Sequence, residues 1–133
     1  MNMKNLILYF SIAILLTACG TSSDPIKIAE EFATAYLNAD YDKCNKMMED
    51  EEFTPSKEMS SMEKAVVEAV KKEAQKIQYI ITIDNEFTTA EESYADVYFD
   101  VTSAKDPEFE ETIRVNLEKD DKGKWVVSNY KAF

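Results

Sequence analysis

Near Ile77 the spacing of apolar residues changes from helical to strand-like, and that change restricts the chain to one order of architecture. Before it, apolar side chains recur every third or fourth residue; after it, every second. Asp24-Pro25 opens a first helix, Asp as N-cap and Pro at the first helical position, where a missing N–H costs nothing. Ile28, Phe32, Ala35 or Tyr36, and Leu37 follow at helical spacing, with Lys27, Glu30 and Glu31 outside. Asp40 caps a short second helix carrying Tyr41, Cys44 and Met48 on one face. The acidic run Glu49–Glu52 reads as a solvated loop, and Thr54-Pro55-Ser56 breaks the pattern. Ser60 and Glu63 form a capping box for a third helix, whose inner face is expected at Met62, Val66, Ala69, Val70 and Ala74.

Beyond the change, Ile77, Tyr79, Ile81 and Ile83 alternate with Gln78, Ile80, Thr82 and Asp84. After a polar loop at Thr88–Ser93, Ala95, Val97, Phe99 and Val101 alternate with Tyr94, Asp96, Tyr98 and Asp100. Asp106-Pro107 interrupts, and Phe109, Ile113, Val115 and Leu117 mark a third strand, with Glu110, Thr112, Arg114 and Asn116 opposite. Asp120-Asp121-Lys122-Gly123 is a hairpin turn leading into a last strand from Trp125 to Tyr130. Helices followed by hairpin-linked strands predict an α+β fold with an antiparallel sheet. Each strand has one apolar face, so the three N-terminal helices should pack on one side only. Long strands twist and curl, so the expectation is a half-open cone: three helices on the concave face of a curled four-stranded sheet.

The N-terminus has a different character. Lys4 precedes an eleven-residue apolar run (residues 6–16), followed by Thr17-Ala18-Cys19. This is the layout of a secretory signal, and the run is too short to span a bilayer, which takes about 20 residues. Leu16-Thr17-Ala18-Cys19 resembles the bacterial lipobox, which implies diacylglycerol on the Cys19 sulfur and cleavage just before it. The competing readings are an ordinary cleaved signal and an uncleaved anchor. The lipobox reading divides the chain into a signal peptide (1–18), a lipidated flexible tether (19–23) and one folded domain (24–133). It also places the protein on a membrane of the bacterial cell envelope.

Without the signal, 115 residues remain, enough for one domain with its own core. Removing Lys4 leaves 14 basic against 26 acidic side chains, a net charge near −12, which argues against nucleic acid as a partner. If Cys19 carries lipid, Cys44 has no partner for an intramolecular disulfide; it is either a reactive thiol or a small buried apolar residue. There is no histidine, clustered cysteine, glycine-rich phosphate loop or nucleophile elbow, so no metal site and no cofactor is expected. The carboxylates at 49–52 and 106–111 lack the spacing and glycine bend of a calcium loop.

Element order, together with Asp24-Pro25, Phe32…Tyr36-Leu37, Asn38-Ala39-Asp40-Tyr41 and Gly123-Lys124-Trp125-Val126-Val127, resembles the nuclear transport factor 2-like (NTF2-like, or cystatin-like) superfamily. More narrowly, the chain resembles small bacterial lipoproteins of that fold whose function is unknown. The resemblance implies either an enzyme of the isomerase or cyclase kind working inside the cone, or a non-enzymatic binding or dimerisation module. The enzymes place His, Asp or Tyr in the pocket; here there is no His, and Asp96 and Asp100 alternate away from it, which favours the binding module. Phe32, Tyr36, Tyr79, Phe99, Phe109 and Trp125 point inward, either lining a pocket for a small apolar ligand or simply forming the core. Ile80, Tyr94, Tyr98, Val126 and Tyr130 should lie on the outer sheet face, which is apolar enough for a homodimer or an envelope-protein partner. A purely structural part in an envelope complex is the remaining class.

Overall fold

A computed structural model describes residues 24–133, so the signal, the tether and Cys19 lie outside the described residues. Helix α1 spans Pro25–Leu37, and Asp24 caps it by accepting from the Ile26 N–H at 2.9 Å. Its buried face is Ala29, Phe32, Ala33, Ala35 and Leu37, a stripe that packs across four strands of the sheet. The helix ends where Ala39 turns into the left-handed region, φ +59°, and the Asp40 N–H closes back on the Ala35 carbonyl at 2.8 Å. Asp40 then caps α2, Tyr41–Met47. A short 3-10 turn at Ser56–Glu58 leads to α3, Ser61–Ile77, which starts with the expected capping box.

The sheet contains β1 (Tyr79–Ile83), β2 (Thr89–Ala90), β3 (Tyr94–Ser103), β4 (Glu110–Lys119) and β5 (Trp125–Ala132). The order is β1-β3-β4-β5, every pairing antiparallel. The polar loop between the first two expected strands contains the short β2, which pairs with Ala95 and Asp96 of β3. The β4–β5 hairpin is closed by Asp120, whose Oδ1 accepts from the Lys122 and Lys124 N–H groups, both at 2.9 Å, while Gly123 takes φ +78°. The protein is therefore α+β, with three helices preceding an antiparallel sheet.

Two expectations are corrected. The third helix buries only Ala74 of its predicted inner face; Met62, Val66 and Val70 are 78%, 58% and 39% exposed. Because α1 covers the concave face, α3 reaches the body only near its C-terminal end, and helical periodicity alone cannot report that. Tyr130 lies on the inner face, not the outer one. Asn116 pairs with Asn129 but Leu117 pairs with Val127, so Ser128 is an extra residue in β5. This bulge resets the alternation and turns Tyr130 inward, opposite Val115.

Candidate functional site

The aromatic residues predicted to point inward divide into two groups. Phe32, Phe99 and Trp125 are 0%, 1% and 7% exposed and belong to the core, closed in by Val97, Val101, Ile113, Val115, Leu117 and Val127. Tyr36, Tyr79 and Phe109 are half-buried at its margins, with the Tyr79 and Phe109 rings tilted against each other at 5.6 Å. The interior of the cone is thus occupied by the chain's own side chains.

Open space lies instead beside the core, between α1, the end of α3 and β1. This cleft of about 440 Å³ is lined by Glu30, Thr34, Asn38, Ala74, Gln75, Gln78, Tyr79 and Ile81. Glu30, Thr34 and Asn38 stand four residues apart, so one face of α1 forms one wall. The opposite wall is fixed by the junction of α3 and β1. There Gln78 takes φ +55°, its N–H bonds to the Ala74 carbonyl, and its carbonyl accepts from the Ala104 N–H at 3.0 Å. Ser103 locks the same junction. Its hydroxyl donates to the Ile77 carbonyl and accepts from the Lys105 and Asp106 N–H groups.

Within the cleft, the Thr34 hydroxyl donates to the Glu30 carbonyl and Asn38 Nδ2 to the Thr34 carbonyl. The Glu30 carboxylate, the Gln75 and Gln78 amides and Asn38 Oδ1 take no hydrogen bond from other described residues. Tyr79 carries a hydroxyl whose pKa is raised above 10, chiefly by burial, then by the carboxylates of Glu111 and Glu73. Glu111 lies on the inward-facing row of β4, opposite Val101, which itself pairs with Ile81. Sequence reasoning named Tyr79 as a pocket residue but missed Glu30, Thr34, Asn38, Gln75 and Gln78, which are polar and scattered over α1 and the end of α3. Glu111, which acts on Tyr79 from β4, was signalled by falling in phase with Ile113 and Val115.

On the outer sheet face, Ile80 and Tyr94 are 47% and 39% exposed, and Tyr98 and Val126 half-buried. At its centre Arg114 grips Asp96 with two hydrogen bonds, Nε at 2.8 Å and Nη2 at 3.0 Å. Asn116 Nδ2 adds bonds to Asp96 at 3.0 Å and to the Tyr94 hydroxyl at 3.3 Å. The guanidinium lies 5.6 Å from the centre of the Tyr98 ring, whose other neighbour is Phe87, 61% exposed. Asp100 also lies on this face, opposite Thr82 and Thr112.

A further aromatic group joins Tyr36, Tyr41, Phe53 and Tyr130. Tyr41 stacks on Phe53 at 4.6 Å, and Tyr130 lies 5.2 Å from Tyr36 and 5.3 Å from Phe32. Burial, with Tyr36 and Glu52 nearby, pushes the Tyr130 hydroxyl up to about 12. Phe53 is held there by the buried Asn45, which donates to its carbonyl at 2.8 Å and accepts from its N–H at 3.1 Å. Cys44 is fully buried in the core, and burial, then Asp40, pushes its thiol up to about 11. Among the described residues no group of three or more His, Cys, Asp or Glu is placed to hold a metal ion. None of the described helices is long and apolar enough to cross a membrane.

No protein-family model matches the chain, and no curated protein matches its sequence. Among solved structures, the chain is similar to a crystal structure of a Campylobacter jejuni protein provisionally named an NTF2-like transpeptidase. That likeness has 19% identity and a TM-score of 0.52, covering 80% of this chain and 98% of the other. At that identity the likeness concerns the backbone alone, and with the element order and sheet pairing above it gives this protein an NTF2-like fold.

Proposed function

We propose that this protein is a non-enzymatic binding module, tethered to a membrane of the bacterial cell envelope by lipid on Cys19, whose ligand occupies the cleft between α1, α3 and β1. One observation carries the reading. The inner face of the sheet is filled by Phe32, Phe99 and their neighbours, while the cleft beside it is lined by the Gln75 and Gln78 amides and the Glu30 carboxylate, which take no hydrogen bond from other described residues. Its size is that of a small-molecule site, and its walls offer hydrogen bonds rather than a nucleophile with a base. The filled interior moves the ligand from the apolar class expected of the sequence to a polar one.

The test combines anchor and cleft. Full-length protein expressed in a bacterium should partition into detergent, and Cys19→Ser should move it to the aqueous phase. Thermal-shift screening of polar metabolites should find solutes that stabilise the wild type but not Gln75→Ala/Gln78→Ala. A screen in which every hit stabilises both proteins equally would refute the cleft as the site.

A second reading, a protein partner or second copy, is favoured by Tyr94 and Phe87 standing exposed near the Arg114–Asp96 pair and Ile80 exposed further along the same face. Tyr98→Asp would place a carboxylate beside Asp96 and should lower the solution mass of any oligomer. An unchanged mass would count against that face.

A further inference from the structure

Resting on the cleft reading, we infer that the solute it takes is a small organic cation, a primary or quaternary amine. Of the lining residues only Glu30 is charged, and none is basic. The uncharged walls add the side-chain carbonyls of Asn38, Gln75 and Gln78, which are acceptors for ammonium N–H groups. Thr34 and Asn38 have each spent a donor on an α1 carbonyl.

The second element is the Tyr79 ring. Tyr79 lines the cleft from β1 and Glu30 from α1, while Glu73 of α3 and Glu111 of β4, the latter opposite Val101, act on the Tyr79 hydroxyl from outside the lining. Burial first, then Glu111 and Glu73, raise the pKa of that hydroxyl. Lys76 approaches Glu73 at 3.6 Å, but both side chains are in water, where such a pair neutralises little. Carboxylates near a tyrosine of the lining attract a cation through the local field, to which a ring quadrupole adds. An anion of the same size would meet the same field with the opposite sign, and the whole chain carries −11.

The test uses the full chain in detergent and four probes. Choline and cadaverine are the cations, 3,3-dimethylbutanol is the uncharged isostere of choline, and glutarate is the anion. Amide resonances of Gln75, Gln78 and Tyr79 report occupancy, and calorimetry reports affinity. Choline or cadaverine should shift those resonances, with the isostere at least about tenfold weaker and glutarate silent. Glu30→Gln and Glu111→Gln should each weaken the cations by about fivefold to tenfold, while Lys64→Gln, on the far part of α3, should leave them unchanged. Equal binding of choline and its isostere, or no effect of Glu30→Gln, would overturn the cation class and leave the cleft standing. Failure of every probe to move the three resonances would overturn the cation class; loss of the cleft itself would require the wider solute screen to fail as well.

Discussion

Asn45 should be among the most costly polar residues to change in this fold. Its side chain is 6% exposed and makes paired bonds to the backbone of Phe53, donating at 2.8 Å and accepting at 3.1 Å. Asn45→Ala removes both and strands one amide and one carbonyl in a half-buried setting. At about 1 kcal/mol per bond plus part of the desolvation left uncompensated, the loss should be about 2–3 kcal/mol. Asn45→Asp keeps the acceptor but puts a carboxylate against the Phe53 carbonyl. The new carboxyl would have a folded pKa raised above its unfolded value near 4. Its protonated form can still donate, so the variant's deficit should be small below about pH 4 and grow as pH rises through the folded pKa. Urea unfolding at pH 4 and pH 7.5, followed by the fluorescence of Trp125, measures both variants against wild type. An Asn45→Ala protein within about 0.5 kcal/mol of wild type would refute the assignment of Asn45 as the pin of this loop.

Three more outcomes are expected. Phe32→Ala empties the middle of the core and should cost about 3–5 kcal/mol in the same unfolding assay. Gln78→Gly relieves a side chain held at φ +55° and should raise stability by about 0.5–1 kcal/mol, seen as a higher melting temperature. Tyr130 titrates near 12 when folded against 10 when unfolded, so its contribution is complete below pH 10 and disappears as pH rises from 10 to 12. Urea midpoints should fall across that interval, and Tyr130→Phe should flatten the fall.

What could be read from the chain was local. Asp24, Asp40 and the Ser60–Glu63 box identify their caps without tertiary help, because each bonds within a few residues. Strand alternation placed Val97, Phe99, Ile113 and Val115 inside for the same reason. The reading failed where one residue alters everything after it: Ser128 inserts a bulge with no distinctive composition, and Tyr130 changes face. It failed again for α3, where periodicity shows that a face is apolar but not that something covers it. Glu49–Glu52 are exposed as the acidic run implied, but the pinning of the next residue, Phe53, by Asn45 eight residues earlier was hidden. The cleft was equally illegible, since Glu30, Gln75 and Tyr79 meet only after the sheet has closed against α1.

The borders of the sheet carry one more consequence. One border is shared between β1 and β2, which pair with separate stretches of β3 and are parted by the Asp84–Thr88 turn. Along the other, Met48 bridges to Val127 and the Glu49 N–H takes the Val127 carbonyl at 3.0 Å. Among the described residues neither rim presents a long, uninterrupted row of free amides to a neighbouring molecule, which is how native sheets avoid growing into fibrils. A protein crowded with its own copies in two dimensions, as a lipid anchor would impose, would benefit most from rims that refuse to zip together.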